Sequence, residues 1–427
     1  MGRWSSEHLS EHTRRVRGMT VGAPTDSFGG TEPADGPNGP VYLDNNATTP
    51  VDPRVAAEVL KFMADEYGNA GSRTHNFGQI AKERVNRARE EVAAVVAAKP
   101  EEVVFTSGAT ESNNLAILGL AAHDHNADKR HIVSTAIEHK AVLEPLEVLA
   151  KRGFEITLVT PEPGGWVRAE AIREVLRPDT LLVSVMAVNN ETGVVQPLEE
   201  IAAVLVEHDA YFHVDAAQAF GKLIEPLRSP RIDMISISGH KVFAPKGIGA
   251  LVARRRGYKR VPLEPLMYGG GQERGLRPGT LPVALIAGLG MASALALAEH
   301  DEREARAEAT KARALAALAP LAIVLNGDDE RTLPSTLSLT VPGVDSEAAI
   351  VALKDIVAIS NGSACTSQSY EPSHVLVAAG LSDEQIAGAL RFSWSHLTEK
   401  IPWEVIATRL ALLRLTERRV QRQDSGS

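Results

Sequence analysis

Short β-branched runs recur through the middle of this chain, each separated from the next by a helix-length, alanine-rich stretch, and this alternation limits the fold more than any other feature. The runs are Glu102-Val103-Val104-Phe105, His131-Ile132-Val133-Ser134, Glu155-Ile156-Thr157-Leu158-Val159, Leu181-Leu182-Val183-Ser184-Val185, Tyr211-Phe212-His213-Val214-Asp215 and Met234-Ile235-Ser236-Ile237. Strands spaced this way pair mostly in parallel, because a parallel connection needs a crossover long enough to hold a helix. A mainly parallel α/β sheet is therefore expected, with a ligand crevice at the carboxyl ends of its strands. From about Leu285 to Leu321 the sequence is almost continuous Ala, Leu, Glu and Arg, which predicts one long helix leaving the sheet. Beyond it, Thr336 to Val341 and Leu353 to Ile359 read as strands and Trp403 to Val420 as an amphipathic helix. These form a smaller α+β domain.

A chain of 427 residues exceeds one hydrophobic core, so a second domain is expected on length alone. Basic residues number 45 against 54 acidic, a net charge of -9, which argues against a general polyanion binder. Any link to nucleic acid would run through a partner rather than direct contact. No stretch approaches the roughly 18 apolar residues of a membrane span, and no apolar signal region follows Arg14-Arg15. A cytoplasmic protein with no membrane partner is the expectation. Residues 1–40 are polar and then rich in Gly and Pro, as in a disordered arm, and Met19 offers an alternative start. The expected division is an arm at 1–40, a segment at 41–55 packing with the small domain, a large cofactor-binding domain at 56–290 and a small domain at 291–427.

Three segments carry chemistry. In Phe105-Thr106-Ser107-Gly108-Ala109-Thr110-Glu111-Ser112-Asn113-Asn114 a strand enters a small-residue turn and a helix leaves it, offering free amides and the positive dipole end to an anion. The plainer reading is that Thr110 and Glu111 cap the helix. It is neither a Walker loop nor a dinucleotide fingerprint. In His213-Val214-Asp215-Ala216-Ala217-Gln218 a carboxylate ends an apolar strand, where it either caps a helix or meets a cationic partner. In Ser236-Ile237-Ser238-Gly239-His240-Lys241 a lysine follows an apolar strand; it is a surface lysine or a desolvated amine able to join an aldehyde. Taken together, the three describe pyridoxal phosphate, which needs a lysine for its aldehyde, an acid for its pyridine nitrogen and a helix start for its phosphate. His139 is a candidate to stack on the ring, with a satisfied core histidine as the alternative.

One cysteine, Cys365, lies in Ser360-Asn361-Gly362-Ser363-Ala364-Cys365-Thr366-Ser367-Gln368-Ser369. A single thiol excludes an intrachain disulfide and a multi-thiolate metal site, and near absence of cysteine fits a reducing compartment. A packing cysteine would sit among Val, Ile and Leu. This one sits among small polar residues, which leaves a reactive thiol on a loop or an incidental one.

From Tyr42-Leu43-Asp44-Asn45-Asn46-Ala47-Thr48-Thr49-Pro50 through Leu390-Arg391-Phe392-Ser393 the chain resembles the cysteine desulfurases, class V members of the fold-type I pyridoxal phosphate enzymes. That resemblance implies that Lys241 is the Schiff-base lysine, that Asp215 partners the pyridine nitrogen, that Gln218 bonds the ring hydroxyl, and that His139 stacks on the ring and moves protons. It implies phosphate contacts from Ala109, Thr110, Ser238 and His240, with Thr280 of Arg277-Pro278-Gly279-Thr280 supplied by the second subunit of a homodimer. Asn45, Asn190 and Arg391 would hold L-cysteine, with Asn190 also near the cofactor and Arg391 on the substrate carboxylate. Cys365 falls at the position of the sulfur-accepting nucleophile, which would leave alanine and a persulfide for an acceptor protein; no metal is implied. Ser134 to Glu147, Gly68-Asn69-Ala70-Gly71-Ser72-Arg73-Thr74-His75 and Leu390-Arg391-Phe392-Ser393-Trp394 look like the desulfurases that serve DNA phosphorothioation. Housekeeping desulfurases for iron-sulfur assembly or tRNA thiolation, selenocysteine lyases, class V aminotransferases and a non-catalytic sulfur-transfer scaffold are the alternatives. The arm before Pro40 has no family counterpart, and the C-terminal helix reads as brief.

Overall fold

The computed structural model describes residues 39–123, 128–361 and 372–424, with side chains as far as 415. Its strands, in chain order, are β1 (Val41–Tyr42), β2 (Val103–Thr106), β3 (His131–Thr135), β4 (Glu155–Val159), β5 (Thr180–Met186), β6 (Tyr211–Asp215), β7 (Met234–Ser238), β8 (Gly249–Ala253), β9 (Val324–Leu325), β10 (Thr336–Thr340), β11 (Val357–Ala358) and β12 (Ala389–Ser393). The large sheet has the order β2-β8-β7-β6-β5-β3-β4. All six expected strands are in it, and β3 to β7 pair in parallel with one another.

The added strand is β8, antiparallel to both β7 and β2. Its five residues follow a lysine-glycine turn and read locally as the end of a loop. Gly249 explains how β8 fits: a Cβ there would lie 2.6 Å from the Cα of Gly108 and would collide with the Ile237 carbonyl. Because β8 reverses direction twice, β2 runs parallel to β7, β6, β5 and β3. Their carboxyl ends share one edge of the sheet, which is where an open α/β sheet places its ligand.

Both faces of the sheet are covered. Val103, Phe105, Val183, Val185, Phe212 and Ile235 pack with Val85, Val92, Ile286 and Leu289 of the helices Asn76–Val95 and Val283–Ala298. Val104, Leu182, Met234 and Leu251, their alternate neighbours, pack with Leu115, Ile117, Val142 and Leu146 on the other face. Successive strand residues point to opposite faces, so double coverage requires the continuous apolar runs that the sequence shows.

A second apolar cluster surrounds the antiparallel sheet β12-β10-β9 and joins Leu318, Leu337, Leu339, Phe392, Trp394, Trp403, Ile406 and Leu410. Leu43 enters this cluster from the amino-terminal side, where β1 pairs in parallel with β11. Residues 41–427 group as one unit and residues 1–40 as another; of the arm expected at 1–40, residues 1–38 lie outside those described.

Three expectations need correction. The long helix is two helices, Val283–Ala298 and a second beginning at His300, bent by 73°. Glu299 leaves helical geometry at φ -109°, ψ 14°, and its carboxylate accepts from Arg54 at 3.1 Å and Arg303 at 2.9 Å. The first helix buries nearly its whole circumference and the second has a wet face, so one straight axis could not serve both. Leu353 to Ile359 is not one strand. Asp345 caps a helix, Ser346–Leu353, by accepting from the Ala348 amide at 2.9 Å, and β11 alone remains. The C-terminal helix, Trp403–Asp424, is long rather than brief. No single helix among the described residues is long and apolar enough to cross a membrane.

Candidate active site

A cavity of about 600 Å³ opens at the carboxyl edge of the large sheet. Its wall at β2 is the turn Ser107-Gly108 and the helix start at Ala109 and Thr110. Thr106 Oγ donates to the Gly108 carbonyl at 3.1 Å and shares a hydrogen bond with Ser112 Oγ at 2.8 Å, which pins this turn. Glu111 is taken up elsewhere: its carboxylate accepts from the Ser107 amide at 2.6 Å and from Arg277 at 3.1 Å. Thr110 is left to face the cavity with the first-turn amides, which have no intrahelical acceptors. Asn113, one turn beyond Ala109, lies on the same helix face and lines the cavity as well.

Asp215 ends β6 in this wall and is 5% exposed. Its Oδ1 accepts from the Ala217 amide at 2.9 Å and its Oδ2 from Asn113 Nδ2 at 2.7 Å. Both donors are neutral, so a buried carboxylate faces the cavity without a cation bonded to it. Gln218 Nε2 donates to the Asn46 carbonyl at 2.8 Å, while Gln218 Oε1 is buried with no hydrogen-bond partner among the described residues. Lys241 follows β7 in a tight turn, Gly239–Lys241, and its Nζ donates to the same Asn46 carbonyl.

His240 bonds Thr48 Oγ at 3.1 Å, and burial, reinforced by the charges of Lys241 and Lys246, lowers its pKa to about 4. It is neutral at physiological pH and acts toward an anion as a dipolar donor, not a charge. His139 precedes the helix Lys140–Lys151, and its Nδ1 accepts from the Ala141 amide at 3.0 Å, which assigns the ring proton to Nε2 in the neutral form. Behind it, Glu138 is fully buried, accepting from Thr135 Oγ at 2.7 Å and the Met186 amide at 2.9 Å. Burial raises its pKa to about 8.

The opposite wall comes from the second cluster. Arg391, central in β12 and 2% exposed, donates to the Asn190 carbonyl at 2.8 Å and to Asp44 at 2.7 Å. Asn190 and Arg391 both line the cavity, as does Ser238.

Of the residues singled out in the sequence, Ala109, Thr110, His139, Asn190, Asp215, Gln218, Ser238, His240, Lys241 and Arg391 meet in this one cavity. Asn45 does not: its Nδ2 donates to the Ser393 carbonyl at 3.0 Å, and Asn46 supplies the wall instead. Adjacent residues of an extended segment point in opposite directions, and nothing local shows which of two asparagines turns inward. Thr280 is exposed and off the cavity wall, and Cys365 lies outside the described residues. Asn46, Asn113 and Lys246 join the wall without having been singled out. For Asn113 the signal was available, since it follows Thr110 at a spacing of three.

These residues fit pyridoxal phosphate. A carboxylate lacking a bonded cation, an unpartnered buried acceptor on Gln218, an amine and an open helix start face one another across a space of suitable size. The Aminotransferase class-V family model matches residues 41–400, and the chain belongs to that family, whose members use this cofactor.

Cysteine desulfurase IscS of Methylococcus capsulatus is 47% identical over 360 residues, 84% of this chain and 88% of that protein. The crystal structure of DndA from Streptomyces lividans is 54% identical with a TM-score of 0.73, covering 83% of this chain and 99% of that one. A structure of SspA in complex with cysteine is 39% identical with a TM-score of 0.73, covering 83% and 98%. The protein is a pyridoxal phosphate-dependent cysteine desulfurase acting on L-cysteine.

Proposed function

We propose that this desulfurase moves the sulfur of L-cysteine onto Cys365 and from there to an acceptor protein serving DNA phosphorothioate modification. The observation that carries the site reading is the convergence of Lys241, Asp215, Gln218, His139 and Arg391 on one cavity. Bound there, pyridoxal phosphate supplies an electron sink for charge developing at the substrate's α-carbon.

The chain's residues divide the remaining work. Lys241 would hold the cofactor through its aldehyde, and as a free amine it would take the proton from the substrate's α-carbon. Asp215 would hold the pyridine nitrogen in its charged form, Gln218 would bond the ring hydroxyl, and His139 would lie against the ring and carry protons through Nε2. Ala109, Thr110, Ser238 and His240 would hold the phosphate, joined by Thr280 from the second subunit of a homodimer. Arg391 and Asn190 hold the amino acid, with Arg391 already oriented by Asp44. The Cys365 thiolate forms an S–S bond to the substrate sulfur as the Cβ–S bond breaks. That bond's electron pair stays on carbon and is protonated, leaving alanine and a Cys365 persulfide.

Support for the phosphorothioation branch is the 54% identity with DndA, together with the Trp394 that follows Arg-Phe-Ser. The 47% identity with IscS supports iron-sulfur assembly as the second reading. Steady-state alanine and sulfide formation from L-cysteine collapses in Cys365→Ser while the visible absorbance of bound cofactor persists; undiminished turnover rejects Cys365 as the nucleophile. Capture of the acceptor that takes labelled sulfur from the persulfide separates the branches, since transfer to an iron-sulfur scaffold alone favours the second.

A further inference from the structure

A second cavity, of about 60 Å³, lies against the turn that carries Lys241. Val242 and Phe243, the two residues after Lys241, form part of its wall, so it shares backbone with the active site while being lined by other side chains. It has room for roughly four waters, or one small oxyanion. Lys222, His300, Arg303, Ser335 and His396 supply its polar lining, and Trp394 closes it, held by a hydrogen bond from Nε1 to the Ala307 carbonyl at 3.3 Å.

The charges in this lining do not balance. Among the described residues Lys222 Nζ has neither a hydrogen-bond acceptor nor a carboxylate partner, and the charge that acts on it most is the like charge of Lys241. Among the described residues His396 Nε2 is buried with no hydrogen-bond partner; Asp52 stands 3.8 Å away and is already paired with Arg54 at 2.8 Å. His396 also meets the edge of the Phe243 ring, with centroids 4.5 Å apart. Arg303 is held by Glu299, and His300 spends its ring nitrogens on Asp301 and the Lys222 carbonyl. Glu304 is exposed. A partly buried ammonium without an acceptor, beside an unpartnered imidazole nitrogen, calls for an anion.

We propose that this cavity is an anion site that holds one small oxyanion, such as sulfate or inorganic phosphate, on Lys222. The anion neutralises the Lys222 ammonium at a site outside the active-site cavity.

Burial and the Lys241 charge lower the pKa of Lys222 to about 7, and burial holds His396 near 4, so Lys222 changes charge between pH 6 and 9 while His396 stays neutral. His300, Arg303 and Glu304 are the other titratable groups that face it. The anion binds the ammonium form, so affinity is full below pH 7 and falls above it. Isothermal titration of the holoenzyme with sodium sulfate at constant ionic strength keeps the cofactor phosphate in its own site. One sulfate per protomer is expected at pH 6, at least tenfold weaker binding at pH 9, no saturable binding in Lys222→Met, and binding within a few-fold of wild type in Lys222→Arg. The proposal is overturned by the absence of saturable sulfate binding to the wild type at pH 6, by equal affinity at the two pH values, or by wild-type affinity in Lys222→Met. Should Lys222→Met fail to fold, the wild-type comparison across pH decides.

Discussion

Asp215 shows how much a single side chain depends on its surroundings. A carboxylate 5% exposed at the end of β6, bonded by the neutral donors Ala217 N and Asn113 Nδ2, has spare electrostatic capacity directed at the cavity. Asp215→Asn preserves shape and removes the charge. Turnover of L-cysteine is expected to fall by about 10²-fold or more, with cofactor still bound by its visible absorbance. Wild-type turnover in that variant rules out a role for Asp215 at the pyridine nitrogen. Gln218 and Lys241 show a related economy, since both donate to the carbonyl of Asn46, so one backbone atom fixes two side chains while Gln218 Oε1 stays available.

Among the elements, β8 is the one on which the site depends without contributing a charged group. It lies between β2 and β7, and it approaches the Gly108 turn so closely that Gly249 has no room for a side chain. Gly249→Val forces β8 away from Ile237 and Gly108. A loss of about 1–3 kcal/mol in stability is expected from urea unfolding, together with weaker cofactor retention, because the displaced turn carries Ala109 and Thr110. Unchanged stability shows that the strand shifts freely. The bend at Glu299 is a second decision made by packing: the carboxylate joins Arg54 and Arg303 where a helix buried on nearly all sides gives way to one that is half wet.

At the scale of the whole molecule, the cavity is a seam. Asp215, Lys241 and the helix start come from the large sheet, whereas Arg391 comes from β12 and Asn46 from the segment after β1. Beneath it, buried titratable groups give stability two opposed pH dependences. Glu138 has a pKa near 8 when folded against about 4.5 in an open chain, so the folded state holds its proton more tightly and stability falls as pH rises through that interval. The slope is at most about 1.4 kcal/mol per pH unit. His213, bonded to Ser184 at 2.8 Å and Ser236 at 2.9 Å, has its pKa lowered by burial to about 3, so stability is lost as pH falls below about 6.5. Glu138→Gln is expected to flatten the alkaline slope in urea midpoints measured from pH 5 to 8 while leaving the acid side intact; an unchanged slope assigns it to other groups.

The α/β class, the six strands and the segments bearing Lys241 and Asp215 were legible in the sequence, because apolar runs, turn residues and a charge ending a strand are properties of neighbours along the chain. The family resemblance extended that reading to residues such as His139 and Arg391, which no local spacing could have paired. Tertiary structure alone decided that Asn46 rather than Asn45 faces the cavity, that β8 inserts beside Gly108, that the long helix breaks at Glu299, and that Lys222 lines a second cavity without an acceptor among the described residues. Each of these turns on contacts between residues far apart in sequence, where steric room and the balance of buried charge exist only once the chain has folded.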